Sequence, residues 1–199
     1  EISLRDSAFT FPRVDLSFSY DTSALTIDAL VKDLHFKDGN RSWRYGDGFL
    51  INFVMPDSSD RIDSDRYYAW GFSLENGEPA AVLVNHNGTY YLRKKPELAP
   101  QISVDKANQT ATYKIVIPWE NLAPFRPLLD KQAGINIIYV SQNEDQSRRQ
   151  LQWIDDPYYD TERTALRRFA PLNFRPSENS PLQITGELQR RWVTGGRLA

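Results

Sequence analysis

The chain has 199 residues, no cysteine and a formal net charge of −2, so disulfide frameworks and Cys-ligated metal sites are excluded. Its basic residues are scattered rather than clustered, which removes the electrostatic footprint of a nucleic-acid binder. No apolar run reaches the length of about 18 residues that a membrane helix needs, so the partners expected exclude nucleic acid and membrane insertion.

Strand signals dominate in chain order. Leu16, Phe18 and Tyr20 alternate with polar residues, and after Asp21-Thr22-Ser23 the set Leu25, Ile27, Ala29 and Val31 alternates again. Period two on both sides of a turn reads as a hairpin. Phe49 to Val54 is apolar on both faces except for Asn52, as in a central strand buried on both sides. Asp57 to Asp65 reads as a polar acidic loop, Tyr67 to Leu74 as a strand, Glu75 to Glu78 as a turn and Ala80 to Asn85 as the next strand. Asn87-Gly88 is a two-residue hairpin signal ahead of Thr89 to Arg93.

Ile102 to Val104 and Thr110 to Ile117 form a second hairpin pattern, closed by Pro118-Trp119-Glu120-Asn121-Leu122 as one helical turn. Ile135 to Ser141 and Leu151 to Ile154 read as further strands, Asp155 to Arg168 as a long loop, and Phe169 to Phe174 and Leu182 to Leu188 as closing strands. Roughly ten short strands with turn signals and little helix predict an all-β antiparallel sandwich, jelly-roll-like. Residues 1–188 are expected to form one domain and 189–199 a basic, glycine-containing tail or linker. The start at Glu1, without Met, reads as a processed or trimmed end.

The feature that bears most on function is Ser42-Trp43-Arg44-Tyr45-Gly46-Asp47-Gly48, a Trp on a polar loop running into an apolar strand. An indole face there either folds onto the sandwich edge or stacks on a flat ligand such as a sugar ring. Arg44 and Asp47 stand close by with hydrogen-bonding capacity for a hydroxyl rim. Tyr158 and Tyr159, on a Pro-bearing loop, offer a second aromatic platform or plain loop packing. Trp70, beside Gly71, is either core or a third contact, and Trp119 and Trp153 read as core. Asn143 is a polar contact or a turn residue.

These segments resemble family 9 carbohydrate-binding modules and the DOMON-related sandwiches around them. Leu25 to Asp33 is similar to the family's early aliphatic strand. Trp43 to Ile51 is similar to its W-x-x-D-x-V-E-hydrophobic segment, and Tyr113 to Leu122 to its aliphatic strand with Pro/Lys-Trp-x-x-Leu. Gly134 to Val140 and Leu151-Gln152-Trp153 follow in the family's order. The resemblance implies a secreted, periplasmic or cell-surface module, covalently attached to a catalytic or receptor domain, that binds a mono-, oligo- or polysaccharide between two aromatic rings. Trp43 takes the place of one ring and Tyr158 or Tyr159 that of the other. The pattern departs at two polar positions: the family's Glu is Leu50 here, and Tyr68 to Ser73 lacks the expected Arg. A structural, sensory or interaction module that has lost the sugar site is therefore the alternative.

Other chemistries are weighed on the same residues. Asp57, Asp60, Asp63 and Asp65 supply hard oxygen donors suited to Ca²⁺, and the family often carries structural calcium; a solvated acidic loop is the simpler expectation. Asp155-Asp156 are adjacent on extended backbone, which points two carboxylates apart rather than across one glycosidic bond, so no enzyme activity is expected. Related sandwich domains bind haem between Met and His, and here Met55 with His35 or His86 is the only such set. Sequons at Asn40, Asn87 and Asn108 matter only in a eukaryotic secretory pathway.

Overall fold

In β2 (Arg13–Tyr20) and β3 (Ala24–Lys32) alternate side chains are apolar and face inward, all buried except the half-buried Phe18. The turn between them is held by Asp21, whose carboxylate accepts the N–H groups of Ser23 at 2.6 Å and Ala24 at 2.9 Å. The computed structural model describes residues 2–5, 12–39, 46–56, 62–86, 89–130, 132–142, 148–153 and 169–174. Within them, β1 (Ile2–Arg5), β8 (Gln101–Asp105) and β9 (Thr110–Pro118) complete a five-stranded sheet ordered β1-β2-β3-β9-β8.

The facing sheet contains β4 (Gly48–Pro56), β5 (Ile62–Glu75), β6 (Glu78–His86), β7 (Thr89–Lys94), β10 (Gln132–Gln142), β11 (Arg148–Gln152) and β12 (Ala170–Asn173). Its order is β11-β10-β4-β5-β6-β7, with β12 also on β10, and every pairing is antiparallel. Asn76-Gly77 turns β5 into β6 with both residues at positive φ, the geometry that a two-residue hairpin demands and that Asn and Gly tolerate best. Trp119–Leu122 is a 3-10 turn, and among the described residues the one α-helical turn is Pro127–Asp130. Among the described residues no helix is long and apolar enough to cross a membrane.

An all-β sandwich was expected, and the two sheets enclose one core. At one end Tyr20, Trp119, Phe125 and Phe174 pack ring on ring, with Tyr20–Phe174 and Phe125–Phe174 centroids 5.0 Å apart. The Trp119 indole N–H donates to the Asp21 carbonyl at 2.9 Å. At the opposite end Phe49 meets Tyr113 edge-on at 4.9 Å and Tyr139 at 5.1 Å. Burial of each such ring removes a large apolar surface from water, worth about 1.5–3 kcal/mol per side chain.

The seven-stranded sheet is buried on its outer face too, where Leu50, Val54, Ala69, Val82, Val84, Ile138, Val140 and Phe169 form a second apolar cluster. This is why β4 and β10 read as continuous apolar runs. One boundary expectation is corrected. β5 begins at Ile62, paired with Pro56, so Asp63 and Asp65 lie on a strand rather than in one loop with Asp57 and Asp60. The expected strand 182–188 and loop 155–168 fall outside the described residues.

Candidate functional site

Asp47 organises one end of the sandwich. It precedes β4, is 0% exposed, and its carboxylate is fully engaged by backbone. Oδ2 accepts the Lys37 N–H at 3.0 Å and Oδ1 accepts the Gln142 N–H at 2.7 Å. The Asp47 N–H in turn donates to the Lys37 carbonyl at 2.8 Å. Gly39 donates to the Leu74 carbonyl at 3.0 Å and bridges to Glu75. A Cβ on Gly46 would sit 2.6 Å from the Gly39 Cα and 2.7 Å from the Lys37 oxygen, so the two backbones touch and only glycine fits. The chain thus leaves at Gly39 and returns at Gly46 through a closed, fastened pair of feet.

Electrostatics set Asp47 apart. Burial raises its carboxyl to about 7; the Gln142 and Lys37 N–H groups oppose that rise, the Asp33 charge adds to it, and the Lys37 charge opposes it. Asp33 is buried nearby, where its Oδ2 accepts the Tyr139 hydroxyl at 3.4 Å. Burial pushes the Tyr113 and Tyr139 phenols well above their usual value, and Asp47 adds to both shifts. The Tyr113 hydroxyl is buried with no hydrogen-bond partner among the described residues. Asp33, His35 and Phe36 also line a cavity of about 210 Å³ between β3 and the β8–β9 turn, with Val31, Val104, Asp105, Lys106 and Gln109 around it.

The outer face of the seven-stranded sheet is ordered in rows across the strands. One row is Ile138–Leu50–Gly71–Val82, and the next is Asn136–Asn52–Ala69–Asn85. All three asparagines are buried, and the Asn85 Oδ1 has no hydrogen-bond partner among the described residues. The signal for this row was in the sequence: Asn52 and Asn136 interrupt otherwise apolar strands. Its meaning was not, because only pairing places them side by side.

Two expected ligand contacts are corrected by burial. Asp47 offers no free oxygen to a hydroxyl rim, since both of its oxygens hold backbone amides. Trp70 is 1% exposed and lies in the main core, its ring parallel to Tyr68 at 6.4 Å. Neither ring face is available as a platform, because β5 turns Trp70 inward and Gly71 outward. Trp43, Arg44, Asn143, Tyr158, Tyr159, Asp57 and Asp60 lie outside the described residues. Among the described residues no three metal-capable side chains come together. The haem alternative has little to stand on: Met55 is core packing, and the His86 ring stacks on Tyr68 at 4.2 Å. Trp119 is core as expected, and Trp153 packs half-buried against Phe18 at 5.8 Å.

No protein-family model matches the chain, and no curated relative matches it. Solved structures do. A family 9 carbohydrate-binding module (CBM9) from Caldicellulosiruptor kristjanssonii in complex with cellotriose superposes with a TM-score of 0.61 at 14% identity, over 89% of this chain and 84% of that one. A CBM9 from the same organism in complex with glucose gives 0.59 at 13% identity, over 87% and 82%. The fold is CBM9-like. Leu50 and the strand Tyr68–Ser73, where the sequence resemblance leads one to expect a departure from a polar pattern, both lie in the seven-stranded sheet. Leu50 is 2% exposed and pairs directly with Gly71, so that departure is an apolar row built into the sheet.

Proposed function

We propose that this chain is a non-catalytic carbohydrate-binding module. The observation that carries the reading is the match of its fold, over most of both chains, to modules whose structures hold cellotriose and glucose. The sugar ring rests on Trp43 and on Tyr158 or Tyr159, with Arg44 and Asn143 at its rim. Aromatic faces bury the C–H patches of the ring, and planar polar groups bond its hydroxyls. Asp47 and Trp70 take no part in contact. The module works outside the cytoplasm, as one domain attached to a catalytic or receptor domain.

A second reading is an interaction module without a sugar site, favoured by the apolar row through Leu50 and Gly71. Tryptophan fluorescence titrated with glucose and cellotriose, in wild type and Trp43→Ala, separates the two. A saturable change that disappears in the variant is the expected result. A flat response at millimolar sugar rejects the first reading in favour of the second.

A further inference from the structure

The Asp47 carboxylate is the meeting point of three chain segments. Lys37 stands two residues before Gly39, where the chain leaves for residues 40–45, and Asp47 itself follows Gly46, where it returns. Gln142 ends β10, immediately before residues 143–147. One buried side chain therefore fastens the ends of both segments, through the Lys37 N–H at 3.0 Å and the Gln142 N–H at 2.7 Å. We propose that Asp47 is a positioning residue that ties the Lys37–Gly39 stretch to the end of β10, and that taking up a proton releases one of its two amides. The inference rests on the sugar-binding reading only in that Trp43 and Asn143 follow the two fastened ends in the sequence.

The reason lies in acceptor count. An ionised carboxylate presents two acceptor oxygens, whereas the neutral acid turns one of them into a hydroxyl that meets an N–H poorly. Two amides aimed at two oxygens thus select the anion, while burial selects the neutral acid. These opposed demands hold the group near neutrality, at about 7. The groups facing it are Asp33 and Lys37 from the segment after β3, Tyr113 from β9 and Tyr139 from β10. Asp33 favours protonation and Lys37 opposes it, and both phenols stay neutral throughout the relevant range. Asp38 and Glu75 are directed elsewhere, to the Gly77 N–H and to Lys94. With a midpoint near 7, the fully fastened form falls about tenfold between pH 8 and pH 6, and so does any affinity that requires it.

The test is amide NMR of the whole chain across pH 5.5–8.5, in wild type and Asp47→Asn. The Lys37 and Gln142 amide protons are expected to shift together with one midpoint near 7, and to stop doing so in the variant. Amides that do not move, or that move with separate midpoints, overturn the proposal from the wild type alone. Hydrogen exchange at Gly39 and Asp47, corrected for the intrinsic rate, reads the coupling without any ligand. Protection is expected to fall about tenfold from pH 8 to pH 6, and unchanged protection overturns it. Glucose and cellotriose affinities at the two pH values add a third arm. Equal affinities with titrating amides reject the coupling to binding. No binding at either pH rejects the sugar reading and leaves the exchange result to decide the clamp.

Discussion

The two ends of the core are closed by different chemistry. At the end of Tyr20, Trp119, Phe125 and Phe174, rings pack edge to face or tilted, and the Trp119 indole N–H is bonded to a carbonyl. At the other end Phe49 packs against Tyr113 and Tyr139, with Asp33 and Asp47 buried behind them. The first end needs nothing from solvent conditions to hold. The second keeps two carboxylates and two phenols out of water, at a cost that only fixed hydrogen bonds offset.

The largest contrast is expected from truncating the aromatic end. Phe125→Ala leaves a cavity among Phe53, Trp119 and Phe174, and is expected to destabilise by about 3–5 kcal/mol, equally at pH 5 and pH 7. Urea denaturation at both pH values measures it, and a pH-dependent loss would erase the distinction between the ends.

Next in size is the pH response of the acidic end. Asp47 is raised from 3.8 to about 7 in the folded chain. Between those values the folded state holds a proton that the unfolded state has lost, so this group's contribution is fully present below pH 4 and is lost as pH rises to 7. The slope approaches about 1.4 kcal/mol per pH unit. Asp21, Asp105 and Glu97 are lowered instead; their contributions are lost only as pH falls below about 4, outside this window. Stability curves of wild type and Asp47→Asn from pH 4 to 7 are expected to diverge in slope, and parallel curves would contradict the assignment.

The smallest effect is the sharpest. Tyr113→Phe removes a buried hydroxyl that bonds to nothing described, and is expected to be neutral or to stabilise by about 1 kcal/mol. A loss above about 1 kcal/mol in urea denaturation would mean the hydroxyl is bonded after all.

Strands with strict alternation were legible residue by residue. β2, β3 and β9 announce themselves because one face is buried and the other wet. β4 was legible for the opposite reason, an apolar run with one interruption. β5 was not fully legible: Ile62, Asp63, Ser64 and Asp65 carry no alternation, and what shows the strand to start there is the pairing of Ile62 with Pro56. Asp47 misled most, because an acidic residue between two glycines is an ordinary exposed turn signal. What buries it is the approach of Lys37 and of Gln142, the latter 95 positions away. No local pattern encodes such a meeting. Trp70 misled less: its neighbour Gly71 faces the other side of the sheet, in a row with Leu50 and Val82.

The contact between Gly39 and Gly46 carries a consequence for variation. Where two backbones are joined at the base, the length and composition of what lies between them are decoupled from the sheet. Substitutions within residues 40–45 are expected to leave the register of β4 unchanged, because the Gly39–Gly46 contact is made outside them. A library that tests the proposed sugar contact therefore randomises residues 40–45 with Gly39, Gly46 and Asp47 held constant. A side chain at position 46 is expected to part the two backbones instead, since its Cβ would lie 2.6 Å from the Gly39 Cα.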